Sequence, residues 1–443
     1  MFLLINGDHL TKDYIGKVVE IKGKNDVFSG KVDGCVLPNE NKGLVVLKLK
    51  SGYNVAIKQE NIDSIKVIGT AEKTQQKSKS NLEYKSNAGL PKVGIITLGG
   101  TIASRVDYKT GGVSSQFTAE DLINAIPEIR DLANIECTSL MSKFSENINK
   151  EDWITIVKKL DFLSNGKYDG FIITQGTDTI HYVASALSFM LEKLGVPVII
   201  VGSQRSSDRP SSDAAYNLLG ALTFIKESKK AGVFVAMHHT TDDKVIAIHL
   251  GTKVRKLHTS RRDAFKSINV SPVALVHLDL RQHNICKNEI VFNPLYYDLK
   301  DLNKEKLKVS TKLGSGVSLL KFYPSFDTSL FEYVLKTSKI VIIEGTGFGH
   351  LSDSLLEIVR KYKNKTIVFM TSQCIFGRVN MDVYTQGRIE KEAGIISLED
   401  MLSETAYVKA LYVLGKTSKP EEIKKLMLEN MKGEISDRTL FTE

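Results

Sequence analysis

Residues 89–104, GLPKVGIITLGGTIAS, carry an apolar run into two glycines and then to a hydroxyl. The segment Val93–Leu98 is almost free of polar alternation, which reads as a strand covered on both faces in a parallel sheet between helices. Gly99 and Gly100 supply the permissive backbone for a sharp exit. Thr101 is then the first side chain past the carboxyl end of the strand, the edge where open α/β sheets bind ligands. A threonine there serves as a helix N-cap, as part of a phosphate-cradling loop or as a nucleophile, and this stretch alone fits all three.

Working outward, the same grammar recurs. Strands are expected at Gly170–Thr174, Val198–Gly202 and Gly232–Met237, interleaved with amphipathic segments, the signature of a mostly parallel sheet with helices on both faces. One segment, NKEDWITIVKKLDFL, places Trp153, Ile156, Val157, Leu160 and Leu163 on one helical stripe after an Asn149 cap. The alternation restarts at Val317–Phe322, Lys339–Glu344 and Thr366–Thr371, followed by a helix near Leu398–Leu414. A last short helix is expected with Ser418 and Pro420 at its cap and first turn. Upstream, short alternating segments at Lys17–Lys22, Val32–Leu37, Leu44–Leu49 and Tyr53–Ile57 lie between turn signals and predict a small β-barrel of four or five strands. The polar, Lys/Ser/Gln-rich stretch that follows has no apolar period and reads as a linker. The expected division is an accessory barrel over 1–70, a linker over 71–92, an α/β domain with the active site over 93–290 and a second α/β domain over 291–443.

Bulk properties narrow the class. The chain has 443 residues, 42% hydrophobic and 25% charged, as an ordinary globular protein does. No run reaches the ~18 apolar residues of a membrane span, and the first residues lack a basic leader segment, so a cytoplasmic location is expected. Cys35, Cys137, Cys286 and Cys374 are far apart, which argues against a disulfide framework or zinc site, and no metal is expected. Of the net charge of +9, residues 1–92 hold an excess of five, from 15 Lys against 10 acidic residues. Such a module can touch nucleic acid, although charge alone equally describes a solvated surface.

The chemistry concentrates at strand ends. The second buried strand turns at Gly176 and presents Thr177-Asp178-Thr179 before a helix, whose free N–H groups can hold a carboxylate or an oxyanion. Asp178 is also a plausible N-cap. A hydroxyl needs a neighbouring base to attack at neutral pH, and a lysine fills that role when its ammonium form is disfavoured. LGGTIAS lacks the GxGxxG dinucleotide pattern and the chain has no GxxxxGK[ST] phosphate loop.

TLGGTIAS, TQGTDTIHYVASALSFML, VPVIIVGSQRSSDRPSSDAAYNLLGAL and AFKSIN, in that order, resemble the L-asparaginase/glutaminase family, which hydrolyses side-chain amides; the similarity covers roughly residues 93–415. The resemblance implies a two-domain asparaginase-like α/β fold. Matched position by position, it makes Thr101 the nucleophile, Thr177 and Asp178 the second threonine and its carboxylate, and Lys256, nine residues before Phe265, the catalytic lysine. Lys253 lies three residues off that spacing. Ser145 matches the residue that binds the substrate α-carboxylate, Glu146 helps hold the α-amine, and Tyr108 matches the lid tyrosine, with Gly111 and Gly112 as hinges.

The form GSQRSSDRPSSDAAYN and the N-terminal extension resemble more specifically the D-type branch of archaeal glutamyl-tRNA(Gln) amidotransferases. That branch implies glutamine as substrate, a partner of the E type, Glu-tRNA(Gln) reached through the complex and a homodimeric core. It implies no cofactor in this chain, with ATP and Mg in the partner; a free-standing asparaginase is the alternative. In EGTGFGHLS, Phe348 and His350 replace an Asn-bearing turn of periplasmic relatives, and a structural role is expected for His350. Cys374, in TSQCIFGRVNMDVY, is expected to be buried and inert.

Overall fold

The computed structural model describes residues 12–24, 31–37, 43–49, 54–70, 87–99, 105–106, 113–114, 122–123, 126–205, 211–278, 289–296, 299–303 and 306–438. Thr101, Tyr108, the Gly111–Gly112 pair and Cys286 lie outside them.

The N-terminal strands form a five-stranded antiparallel sheet in the order Asn54–Lys58, Leu44–Leu49, Lys31–Leu37, Lys17–Gly23, Ile62–Thr70. Register shifts at Val18/Val19 and Lys22/Gly23 interrupt the pairing of Lys17–Gly23 with the edge strand Ile62–Thr70, and the sheet packs a core of its own that includes Val19, Ile21, Val36, Leu47 and Ile57. The strand Ile62–Thr70 carries no clear mark in the sequence, because its apolar residues are interrupted by Asp63, Ser64 and Lys66.

The larger sheet has eight strands, in the order Glu289–Phe292, Ala274–His277, Val245–Leu250, Gly232–His238, Pro197–Val201, Gly170–Thr174, Lys92–Thr97, Asn134–Ser139. The last five run parallel and the first three extend them antiparallel. Residues 87–90 are fastened to this unit: the Asn87 N–H donates to Asn134 Oδ1 at 2.9 Å, and Asn134 Nδ2 donates back to Asn87 O and Leu90 O. A second, wholly parallel sheet runs Val317–Lys321, Ile340–Gly345, Ile367–Ser372, Ile396–Ser397.

The two sheets share a core. The helices Lys150–Ser164 and Ile180–Met190 lie on one face of the large sheet, and Ser403–Leu414 of the second domain packs against Ile180–Met190. Side chains from both units, among them Phe171, Phe189, Ile340, Phe369 and Leu411, form one continuous apolar cluster. Asn149 caps the first of these helices through Glu151 and Asp152 N–H groups, with Asp152 returning a bond to the Asn149 N–H, a reciprocal capping box. The last helix, Pro420–Leu428, starts one residue later than its sequence cue, with Lys419 rather than Ser418 at the cap.

Cys374 departs from expectation: it is exposed. Ser372 Oγ accepts its N–H at 3.0 Å in a local turn, and Gln373 instead directs its side chain to Glu344 O, so residues 374–376 are lifted to the surface.

Candidate active site

The site is built where three neighbouring parallel strands end in glycines. At the first, Gly99 has φ +102° and a Cβ there would lie 2.7 Å from Lys143 N, so both conformation and space require glycine. The Lys143 N–H donates to Leu98 O at 3.0 Å, and its ammonium pairs with Asp152 at 2.7 Å. This pins the segment leading to Ser145 beneath the strand exit. Beyond Gly99 the chain leaves the described residues, and Arg105–Val106, at the start of the 105–112 stretch expected as a lid, pairs antiparallel with Val113–Ser114 just past its end.

At the second strand end, a Cβ on Gly176 would stand 3.1 Å from Ser145 Cβ and Oγ, so glycine lets Ser145 approach the Thr177 turn. Ser145 is buried, and its carbonyl accepts from Thr179 Oγ1 at 2.7 Å; Glu146 beside it is exposed. At the third, a Cβ on Gly202 would meet Thr177 Cγ2 at 2.8 Å. The loop after Gly202 is held by Asp213, whose carboxylate accepts the Gln204 and Arg205 N–H groups at 2.9 Å each.

Lys256 arrives from another direction. It ends the short strand Val254–Lys256, which pairs with Phe265–Ser267, and its register partner is Phe265. The nine-residue interval between them is therefore a hairpin register. Lys256 Nζ donates to Thr177 Oγ1 at 2.8 Å and to Asp178 Oδ1 at 2.7 Å; the lysine side chain is 10% exposed and that of Asp178 66%. Lys253 lies elsewhere, fully buried, with Nζ 2.7 Å from Asp400 Oδ2. The structure thus brings together Thr177, Asp178, Lys256 and Ser145, with Glu146 beside Ser145.

Two neighbours carry no usable sequence signal. His181 is the second residue of the helix after the Thr177 turn; burial, reinforced by the positive charges of Arg255 and Lys256, pushes its imidazole down to about 4. Arg255 turns away from Lys256 and pairs with Glu404 of the second domain at 2.9 Å. Burial pushes the Glu404 carboxyl up, with Arg255 opposing it. Further off, His350 Nδ1 contacts Glu390 Oε2 at 3.2 Å, and Glu390 also accepts the Leu351 N–H at 2.8 Å, holding the turn after Phe348. Among the described residues no group of three or more His, Cys, Asp or Glu is arranged to hold a metal ion, and no helix is long and apolar enough to cross a membrane.

A set of hydroxyl, amine and carboxylate beside backbone N–H groups can move a proton to and from an oxygen while a carbonyl is attacked. Comparisons with known proteins agree with that chemistry. Family models described as "Asparaginase, N-terminal", "Glutaminase/Asparaginase C-terminal domain" and "GatD N-terminal domain" match residues 92–288, 316–427 and 14–68. The D-type subunit of the glutamyl-tRNA(Gln) amidotransferase of Methanococcus maripaludis is 43% identical over 429 residues, spanning 96% of this chain and 98% of the relative. That of Pyrococcus furiosus is 44% identical over 431 residues, spanning 96% and 95%. Among solved structures, the thermostable L-asparaginase from Thermococcus kodakarensis aligns with a TM-score of 0.69 at 31% identity, covering 78% of this chain and 100% of that one.

Proposed function

The chain belongs to the GatD family of glutamyl-tRNA(Gln) amidotransferase subunits, within the asparaginases, and from that membership we propose that it is the glutaminase subunit of a tRNA-dependent amidotransferase. It hydrolyses the side-chain amide of glutamine to glutamate and passes the ammonia to an E-type partner, which uses ATP and Mg to convert Glu-tRNA(Gln) to Gln-tRNA(Gln) in the cytoplasm. The active unit is a homodimeric core of this chain with its partner, in which the barrel of 1–70 is joined by the 71–92 segment to the α/β domains of 93–290 and 291–443.

The contact of Lys256 with both Thr177 and Asp178 carries the chemical half of this reading. Thr101 Oγ1 bonds to the amide carbon, the carbon–nitrogen bond breaks, and the threonine proton leaves with the nitrogen as ammonia. A water then attacks the acyl ester, and the Thr177–Lys256–Asp178 set takes its proton while Thr101 regains one. N–H groups at the strand ends stabilise the oxyanion, an effect of several kcal/mol in other amide hydrolases. Ser145 holds the substrate α-carboxylate, Glu146 its α-amine, and Tyr108 closes over Thr101 from the lid.

The match of residues 14–68 to a family-specific N-terminal domain favours an ammonia donor over a lone asparaginase. Glutamine consumed without an acceptor is wasted, so basal turnover is expected to be low and to rise when the partner and Glu-tRNA(Gln) are both present. The test is glutamate released from glutamine by the chain, by the pair, and by the pair with Glu-tRNA(Gln). Equal rates in all three, with asparagine the better substrate, would return the protein to the free-standing asparaginases.

A further inference from the structure

We propose that Glu404, on the second domain, is a positioning residue for Lys256: it holds Arg255, and so fixes the roll of the strand that aims the amine at Thr177 and Asp178. The inference rests on the amide-hydrolase reading above. Successive side chains of a strand point to opposite faces, so on Val254–Lys256 the directions of residues 255 and 256 are coupled through the backbone. Lys256 faces the first domain's helix start, and Arg255 faces Glu404, whose side chain is only 7% exposed.

The residues just before it are fastened to the same side. Thr405 Oγ1 donates to Thr252 O at 3.0 Å, Thr252 Oγ1 donates to Lys432 O at 3.0 Å, and Lys253 Nζ donates to Asp400 Oδ2 at 2.7 Å. The pairing strand is tied the other way. Lys266 Nζ donates to His239 O at 2.8 Å, and Ser267 Oγ bonds His249 Nδ1 at 2.8 Å, both within the first domain. The ribbon is therefore suspended between domains, and its roll is set by the balance of these ties. A roll of about ten degrees carries the tip of an extended lysine through about 1 Å, a displacement that costs up to about a hundredfold in rate. Lys253–Asp400 sets the height of the ribbon and is wholly buried; Arg255–Glu404, partly exposed on the arginine side, is the tie adjacent to the amine and the one that can be cut without unfolding the seam.

The experiment uses the full chain in complex with its partner and Glu-tRNA(Gln), comparing kcat and KM for glutamine, with asparagine as second substrate. The variants are Glu404→Gln, Arg255→Met, the two combined, and Glu404→Asp. Lys416→Ala, which removes the ion pair with Glu192 at another point of the same seam, is the control. Each single change is expected to lower kcat roughly ten- to a hundredfold with KM within about twofold, and the double to be no slower than the worse single, because one tie is being cut twice. Glu404→Asp, keeping the charge on a shorter stem, falls between Glu404→Gln and wild type, and Lys416→Ala matches wild type. Unchanged kcat in the single variants, multiplying losses in the double, a matching rise in KM, or an equal loss in Lys416→Ala would overturn the proposal. Where Glu404→Gln fails to fold, Arg255→Met carries the same test. A wild-type complex that hydrolyses neither amide refutes the hydrolase reading itself; an active wild type beside unaffected variants refutes only the positioning role.

Discussion

Replacing Lys253 with methionine is expected to cost stability, where replacing Lys256, three residues on, costs turnover. Lys253 and Asp400 are both wholly buried and sit 2.7 Å apart across the seam between the domains. The methionine follows the aliphatic stem of the lysine, so packing is nearly kept, but the Asp400 carboxylate loses its counter-charge and retains the Ser436 N–H, at 2.9 Å, as its other hydrogen bond. Leaving one charge of such a pair uncompensated costs about 3–5 kcal/mol. At about 2 °C per kcal/mol for a unit of this size, the melting temperature falls by roughly 6–10 °C. Adding Asp400→Asn removes the stranded charge while keeping an oxygen for Ser436, and the double variant recovers at least half of the loss. The assay is a far-UV circular dichroism melt at one scan rate on wild type, Lys253→Met, Asp400→Asn and the double. A Lys253→Met melt within about 1 °C of wild type, or a double variant no better than the single, refutes the account of this pair.

Thr177→Ala and Lys256→Met each remove most of the amide hydrolysis, by orders of magnitude, with little change in melting temperature, and the double is no slower than the worse single because the pair acts as a unit; steady-state glutamate release measures this, and near-wild-type turnover in either sinks the assignment. The acid limb of stability follows from two buried histidines. Burial, with Arg255 and Lys256 adding to it, holds His181 at about 4, and burial holds His249 at about 3, below the ~6.5 of an unfolded chain. Between those values the unfolded state binds protons that the folded state does not, so their contribution is full above about pH 6.5 and is lost as pH falls toward 4 and 3, the loss reaching about 3 kcal/mol each at pH 4.5. Urea midpoints from pH 7.5 to 4.5 report it, and a flat profile contradicts it.

What the sequence displays well are segments whose environment is uniform. The strand Gly170–Thr174 is buried at every residue and is legible to the residue, and Pro197–Val201, also buried throughout, is displaced by one position from its expected span. The antiparallel extension carries no such mark. In Val245–Leu250 the apolar run lasts only four residues before His249, a core residue bonded to Ser267; at the opposite, parallel edge of the sheet Asn134–Ser139 alternates with Glu136 and Thr138 and does not stand out as an apolar run. Within the site, Thr177 and Asp178 are visible because a glycine and a helix start bracket them, whereas Lys256 is reached only through family resemblance. The physical content of that spacing is a cross-strand pair with Phe265, which a linear pattern does not display. Glu404 and Asp400 come from a distant stretch of chain, and no local period marks a carboxylate that will be buried against another domain's cation. Cys374 defeats expectation for a related reason: its apolar neighbours Ile375 and Phe376 suggest a core, but a local Ser372 turn puts all three at the surface.

These partly illegible residues explain how the site stays rigid. A ribbon of three residues against three has too few ladder bonds to stand alone, so the strand that presents Lys256 must borrow its rigidity. The first domain supplies half of it through Lys266 and Ser267, and the second supplies the other half through Asp400, Glu404 and Thr405. The shared apolar core beneath resists sliding of the helices Ile180–Met190 and Ser403–Leu414, and the side-chain bonds convert that resistance into an angular constraint on one amine. Lys256 is thereby tied to both domains, and the helix that follows Thr177 meets the second domain as well, with Ser185 Oγ 3.0 Å from Thr405 Oγ1, so the hydroxyl and its base are registered against the same seam.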